Sequence, residues 1–160
     1  MLFRSPVLAT ACSHEPDDPE LTIFPTHCMA GSEGQKRVPE TEFPDSVVLN
    51  VNERLSGGIP RHLTLLKREL DVFSRLDADE LIARYDQTRP TFVVYGVATD
   101  YCVGKAVDGL LGRQCRVAVV ADAVRCIAAA EASHLTTFAH RGATLTITER
   151  VTRLFVHRGS

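Results

Sequence analysis

Thr91-Phe92-Val93-Val94-Tyr95-Gly96-Val97-Ala98-Thr99-Asp100-Tyr101-Cys102-Val103 is the stretch that decides the fold of this 160-residue chain. The run from Thr91 to Gly96 is β-branched and aromatic and follows the breaker Arg89-Pro90, so it predicts a strand. A helix is expected from Asp100 or Tyr101 to about Leu111, closed by Gly112. Arg116 to Ala121 follows as a second strand. Its apolar residues Val117, Val119 and Val120 are nearly continuous, as in a parallel sheet covered on both faces. A helix over Ile127 to His140 comes next, with Arg141-Gly142 after it. A strand over Ala143 to Thr148 and a short tail element over Val151 to Val156 complete this half. Strands alternating with helices predict an α/β domain of three layers, α/β/α, with a mostly parallel sheet.

Working back toward the N-terminus, Pro6 to Ala11 reads as a short strand. It stops at Ser13-His14-Glu15-Pro16-Asp17-Asp18-Pro19, where two prolines discourage helix. Residues 20–46 continue as loop, punctuated by Pro25, Gly31, Gly34, Pro39 and Pro44. So long an irregular stretch is usually functional or disordered. Val47 to Val51 is a candidate strand, 52–60 a turn region, and Leu63 to Leu66 a clear strand ending at Lys67. Ala78 to Tyr85 reads as a helix, with Leu81, Ile82 and Tyr85 on one face and Asp77 or Asp79 placed to cap it.

The length fits one domain. Hydrophobic residues are 44% of the chain, enough for a sizeable core. Lys plus Arg is 18 and Asp plus Glu is 20, a net charge of −2, which argues against nucleic-acid binding by general phosphate attraction and against a polybasic membrane contact. No apolar run approaches the roughly 18 residues of a membrane helix. The stretch before Cys12 is too short and too interrupted for a signal peptide, so a cytoplasmic location is expected. The five cysteines, 12, 28, 102, 115 and 126, are odd in number and form no CxxC, which favours reduced thiols.

In open parallel sheets, ligands sit beyond the carboxyl ends of strands. The chemistry is therefore expected just after Ala11, Leu66 and Gly96. Cys102 falls in the first turn of the helix after its strand, where the helix dipole and N–H groups favour a thiolate. Position alone also fits a buried structural cysteine. Lys67 is expected at the same sheet edge, adding positive potential, although it also reads as a solvated lysine opening Lys67-Arg68-Glu69. Cys12 and His14, two apart on a strand, point to one face. His27, in Phe24-Pro25-Thr26-His27-Cys28, could return as a third ligand, a set that suits zinc. Histidines in a loop are more often surface groups. His62, His134, His140 and His157 look incidental.

These residues also carry a resemblance. Gly96-Val97-Ala98-Thr99-Asp100-Tyr101-Cys102-Val103 resembles the nucleophile signature of nicotinamidases, within the isochorismatase-like cysteine hydrolases. Leu8-Ala9-Thr10-Ala11-Cys12-Ser13-His14 with the acidic loop to Glu20 resembles the family's metal strand. Phe24 to Cys28 with Gly31-Ser32-Glu33-Gly34 resembles its second metal loop. Leu66-Lys67-Arg68-Glu69 resembles its lysine segment, and Val119 to Arg125 is similar as well. The motifs keep the family's order and span nearly the whole chain.

The resemblance implies an amidase in which Cys102 attacks a carboxamide carbon, ammonia leaves and water cleaves the thioester. It implies that Lys67 lowers the thiol pKa. The N–H groups of Ala98 and Cys102 become the oxyanion hole, after a cis Val97–Ala98 peptide. A divalent metal, zinc first, is implied on His14, His27 and Cys12, with Phe24 and Tyr101 binding substrate. The partner implied is a small carboxamide, nicotinamide first, with a homo-oligomer possible by analogy. Two departures accompany it. Cys12 stands where the family usually has a metal-binding aspartate. The family's first strand and its base aspartate have no counterpart, so residues 1–160 read as one N-terminally truncated domain, nearly inactive alone, whose loss unpairs two central strands. Another hydrolase of the superfamily, or a binding protein without turnover, are the alternative readings.

Overall fold

The computed structural model describes residues 5–43, 45–128 and 130–156, with side chains to residue 153. Pro44 and His157 lie outside the described residues. The chain resolves into two compact units, one up to Leu81 and one from Ile82 onward.

In the first unit, β1 (Val7–Cys12), β2 (Val47–Leu49) and β3 (His62–Lys67) form a parallel sheet in the order β1-β3-β2. β3 is central, and its His62–Leu65 run and Lys67 are buried. Leu49, Leu63 and Leu65 pack with Leu81 of α1 (Ala78–Tyr85), and Leu8, Leu55 and Val72 close around them. Each such side chain removed from water contributes roughly 1.5–3 kcal/mol. The register pairs Val7 with His62 and ends by pairing Cys12 with Lys67. That pairing sets two chemically active side chains abreast at the carboxyl end of the sheet. The segment between β1 and β2 is the expected long loop, tightened into 3-10 turns at Pro19–Thr22, Glu33–Gln35 and Pro39–Thr41.

In the second unit, β4 (Thr91–Val97), β5 (Arg116–Arg125) and β6 (Thr144–Thr146) form a parallel sheet in that order. α2 (Gly104–Gly112), α3 (Glu131–His140) and α4 (Thr148–Val156) alternate with the strands. Val117, Val119, Val120 and Val124 of β5 are buried, as are Val107 and Leu110 of α2 and Phe138 of α3. β4 is an edge strand and exposes every second residue, including Val93, Tyr95 and Val97. β1 is likewise an edge strand of its own sheet.

Several boundaries differ from the sequence expectation, each for a local reason. β5 runs to Arg125 rather than Ala121, because the β4–β5 register jumps from Val94↔Val119 to Gly96↔Val124. Gly96 takes φ 129° at that jump, a backbone conformation that only glycine adopts without strain. The helix after β4 begins at Gly104, behind a π-helical turn over Thr99–Val103. Gly112 stays helical, and the left-handed residue that ends α2 is Gln114, φ 60°. α3 starts at Glu131, not Ile127, because the Ile127 and Ala128 N–H groups are bound by Asp100. Thr148 opens α4 instead of ending β6, its N–H and hydroxyl both bonded to Asp122.

Candidate active site

The first unit holds a compact donor cluster beyond the end of β1. His14 follows the strand by two residues and its backbone pairs with the loop carrying His27. His14 N donates to Cys28 O at 3.0 Å, and Ala30 N donates to His14 O at 2.9 Å. This bridge brings the two rings to a centroid separation of 4.7 Å. The third member is Glu20, in the 3-10 turn that Pro19 opens. Its Oε1 lies 3.7 Å from His14 Nε2 and 3.6 Å from His27 Nε2. One ligand atom from each of the three lies within 4.8 Å of the others.

The cluster fits a divalent metal. Asp18 Oδ2 stands 3.1 Å from His14 Nδ1, and the Pro25 carbonyl 2.8 Å from His27 Nδ1. Both acceptors suit a proton on Nδ1, the tautomer that turns the Nε2 lone pair toward Glu20. His14 is fully buried and its Nε2 has no hydrogen-bond partner among the described residues. Lone pairs beside a carboxylate oxygen repel unless a cation lies between them. Tetrahedral ligands with bonds of about 2.0–2.1 Å stand about 3.3 Å apart, close to the observed spacing. Two imidazoles and a carboxylate are a zinc-type donor set.

Asp18 supports the cluster as an ion. Burial pushes its pKa up, but the Glu15 N–H at 3.0 Å, the His14 ring and Arg68 outweigh this and leave it below the usual aspartate value. Phe24 is half-buried, with its ring centroid 6.3 Å from that of His27.

Cys12, expected beside the two histidines, is outside this group. Lys67 Nζ donates to its Sγ at 3.3 Å and to the Glu69 carbonyl at 2.7 Å. The register aligns Cys12 with Lys67, and Glu20 is the residue that lies with the two histidines. Lys67 is only 2% exposed, so the solvated reading does not hold. Burial pushes the Cys28 thiol pKa up and neighbouring Cys12 adds to it, against the Lys67 charge. Glu20 was the residue that sequence reasoning missed. The signal that points to it is its place at the end of the acidic loop that follows His14, inside the segment resembling the family's metal strand.

In the second unit, the Val97–Ala98 peptide is cis, and Val97 is 72% exposed. The Ala98 carbonyl then accepts from Tyr101 N at 3.1 Å and Val103 N at 3.0 Å, which closes the wide turn. Cys102 and Tyr101 lie in this turn, both half-buried. Cys102 thus precedes α2 in the last turn before its N-terminus, where the dipole favours an anionic sulfur. Thr99 is fully buried, and its Oγ1 has no partner among the described residues. Lys67 and Cys102 were expected at one sheet edge. The structure places them at the carboxyl ends of strands in two different sheets, because β3 and β4 share no ladder. His62 is not incidental to its unit. It stacks on Phe43 at 4.2 Å and bonds Asp45 at 2.6 Å.

None of the five cysteines, all among the described residues, is in a disulfide. Among the described residues, no helix is long and apolar enough to cross a membrane.

Comparison with known proteins gives the same fold. N-carbamoylsarcosine amidase of Thermoplasma acidophilum shares 29% identity and a TM-score of 0.66, over 89% of this chain and 72% of that one. The nicotinamidase of Bacillus subtilis shares 20% identity and a TM-score of 0.69, over 88% of this chain and 74% of that one. The pyrazinamidase of Pyrococcus horikoshii, solved in complex with zinc, shares 19% identity and a TM-score of 0.70, over 89% and 75%. Comparison with curated protein sequences finds no match. Residues 4–150 match the isochorismatase domain, and the chain belongs to that family of hydrolases.

Proposed function

We propose that this protein is a cysteine amidohydrolase acting on a small carboxamide, with nicotinamide as the first substrate to test. The observation that carries the reading is the place of Cys102, in the turn joining β4 to α2 behind Ala98. In this reading the Cys102 sulfur bonds to the carboxamide carbon, the C–N bond breaks and ammonia leaves with a proton. Water then cleaves the thioester, giving the acid and returning the thiol. The N–H groups of Ala98 and Cys102 are assigned the oxyanion, a role worth roughly 3 kcal/mol per donor. Lys67 keeps the part that the family resemblance gives its lysine; within its own unit its ammonium donates to Cys12 Sγ and the Glu69 carbonyl. Tyr101 and Phe24 are assigned contacts with substrate.

His14, Glu20 and His27 are the residues that would hold a divalent metal. When bound, such an ion offers an open position to a heteroaromatic ring nitrogen. Phe24 beside His27 supplies an aromatic surface next to that position. This favours a heteroaromatic amide over an aliphatic one. The nicotinamidase and pyrazinamidase among the structural neighbours support the same class.

The test is ammonia release from nicotinamide by the purified, zinc-supplied protein and by its Cys102→Ala variant. The expected result is slow release that the substitution abolishes. The rate is low because no residue of this chain is assigned the base. Release that persists in Cys102→Ala would overturn the reading.

A further inference from the structure

We propose that the segment Cys126–Ala128 is a wall of the substrate pocket, that the exposed Ile127 side chain selects a planar aromatic amide, and that Asp100 is the residue positioning it. The inference deepens the reading of Cys102 as nucleophile and rests on it.

The segment is placed by pairing. β5 ends with Val97↔Arg125, so residues 126–128 leave the sheet alongside Ala98, where the Cys102 turn begins. Two residues before Cys102, in that same turn, Asp100 turns its carboxylate onto the segment. Its Oδ1 accepts from Ile127 N at 3.1 Å and its Oδ2 from Ala128 N at 3.0 Å. Charge-assisted bonds to two successive amides are stronger than neutral ones and fix a backbone direction.

Further ties hold both flanks. Cys126 N donates to Glu131 at 3.4 Å, Arg125 meets Glu131 at 3.5 Å, and Ala130 N donates to Ala128 O at 2.8 Å. None of these ties uses the side chain of residues 126–128. A loop fastened through its backbone keeps its side chains available.

What it presents is Ile127, 74% exposed and aliphatic. Ligand pockets are built this way, from apolar side chains on a fixed backbone with a few polar groups nearby. A flat ring packs against such a branched aliphatic surface, whereas a small aliphatic amide leaves it uncovered.

The test does not depend on turnover. Cys102 is alkylated with iodoacetamide and with its N-phenyl derivative, and the rates are read at the Cys102 peptide by mass spectrometry. The N-phenyl to parent rate ratio cancels any general loss of thiol reactivity. Ile127→Ala and Ile127→Asp are expected to lower this ratio at least threefold, with unchanged melting because the side chain is exposed. Asp100→Ala is expected to lower it in the same direction, and Asp100→Asn less, since one amide oxygen still accepts. The ratio at Cys28 serves as control and stays fixed. A Cys102 ratio unchanged in both Ile127 variants overturns the proposal. If that happens while nicotinamide is hydrolysed, the amidohydrolase reading stands and only the wall falls. If the ratio shifts while Cys102→Ala leaves ammonia release intact, the wall stands as a binding surface and the amidohydrolase reading falls.

Discussion

Lys67 Nζ lies 3.3 Å from Cys12 Sγ, held there by the parallel register that pairs the last residues of β1 and β3. The ammonium is nearly excluded from water and also bonds the Glu69 carbonyl. A buried cation depends on such acceptors, because leaving one unmade costs its desolvation. Cys12→Ala removes the sulfur and is expected to lower stability by about 1–3 kcal/mol. Urea denaturation with an unchanged m-value checks this. Full stability in Cys12→Ala would show that the thiol contributes nothing to holding Lys67.

The same substitution separates the two groups of donors at the end of β1. Zinc binding, measured by calorimetry, is expected near one ion per chain in the wild type. It stays there in Cys12→Ala and is lost in His14→Ala and His27→Ala. Glu20→Gln keeps the shape but removes the charge, so affinity drops about 10–100-fold, as for other perturbed metal sites. Loss of zinc in Cys12→Ala with retention in Glu20→Gln would restore the thiol as ligand.

This contrast shows where sequence was informative. Strands and helices from Thr91 onward were legible because each carries its own periodicity and breakers, and α1 matched at both ends. The roles of His14 and His27 were approachable because they flank a strand end. Glu20 was not, because its side chain reaches both imidazoles from the 3-10 turn over Pro19–Thr22, an approach that no local pattern encodes. The ends of β5 and α3 were misjudged for a related reason. Asp100 is 27 residues from the amide of Ile127 that it holds. A tertiary hydrogen bond of that span overrides local helix propensity.

Arg75 is the other long-range device. It is 6% exposed, and its guanidinium donates to the carbonyls of Asn50, Val51, Leu66 and Glu53 while pairing with Asp77. The Leu66 carbonyl immediately precedes Lys67, so Arg75 fixes the end of β3. Arg75→Ala strands several buried acceptors and one carboxylate, and is expected to cost about 3–5 kcal/mol. Arg75→Lys keeps the charge but loses the planar fork, and is expected to recover only part of the loss. Equal stability of Arg75→Lys and wild type in urea would contradict the role given to the fork.

Asp100 gives a pH signature. Burial raises its pKa, but the Ala128 and Ile127 amides outweigh burial and hold it below the usual aspartate value. A depressed folded pKa contributes stability above the unfolded value and loses it as pH falls through the folded one. The melting difference between wild type and Asp100→Asn is therefore expected to be constant above about pH 5 and to shrink as pH falls below about 4. A difference that grows on acidification would reverse the sign of the carboxylate's contribution.

Gly104 offers the sharpest steric test of the nucleophile turn. It is the first residue of α2, and a Cβ there would sit 2.9 Å from the Thr99 carbonyl oxygen, a backbone atom of the turn that holds Cys102. Alanine in a helix normally gains about 1 kcal/mol over glycine. Here the clash reverses the sign, and Gly104→Ala is expected to cost about 1–3 kcal/mol. Gly112, in the same helix, has nothing within 4 Å of its Cβ position, so Gly112→Ala is expected to be neutral or stabilising. Because the strain falls on the turn itself, Gly104→Ala should also change the alkylation rate of Cys102, while Gly112→Ala should not. Thermal melts and labelling of the two variants side by side decide it: if both alanines behave alike, the turn is not packed as described.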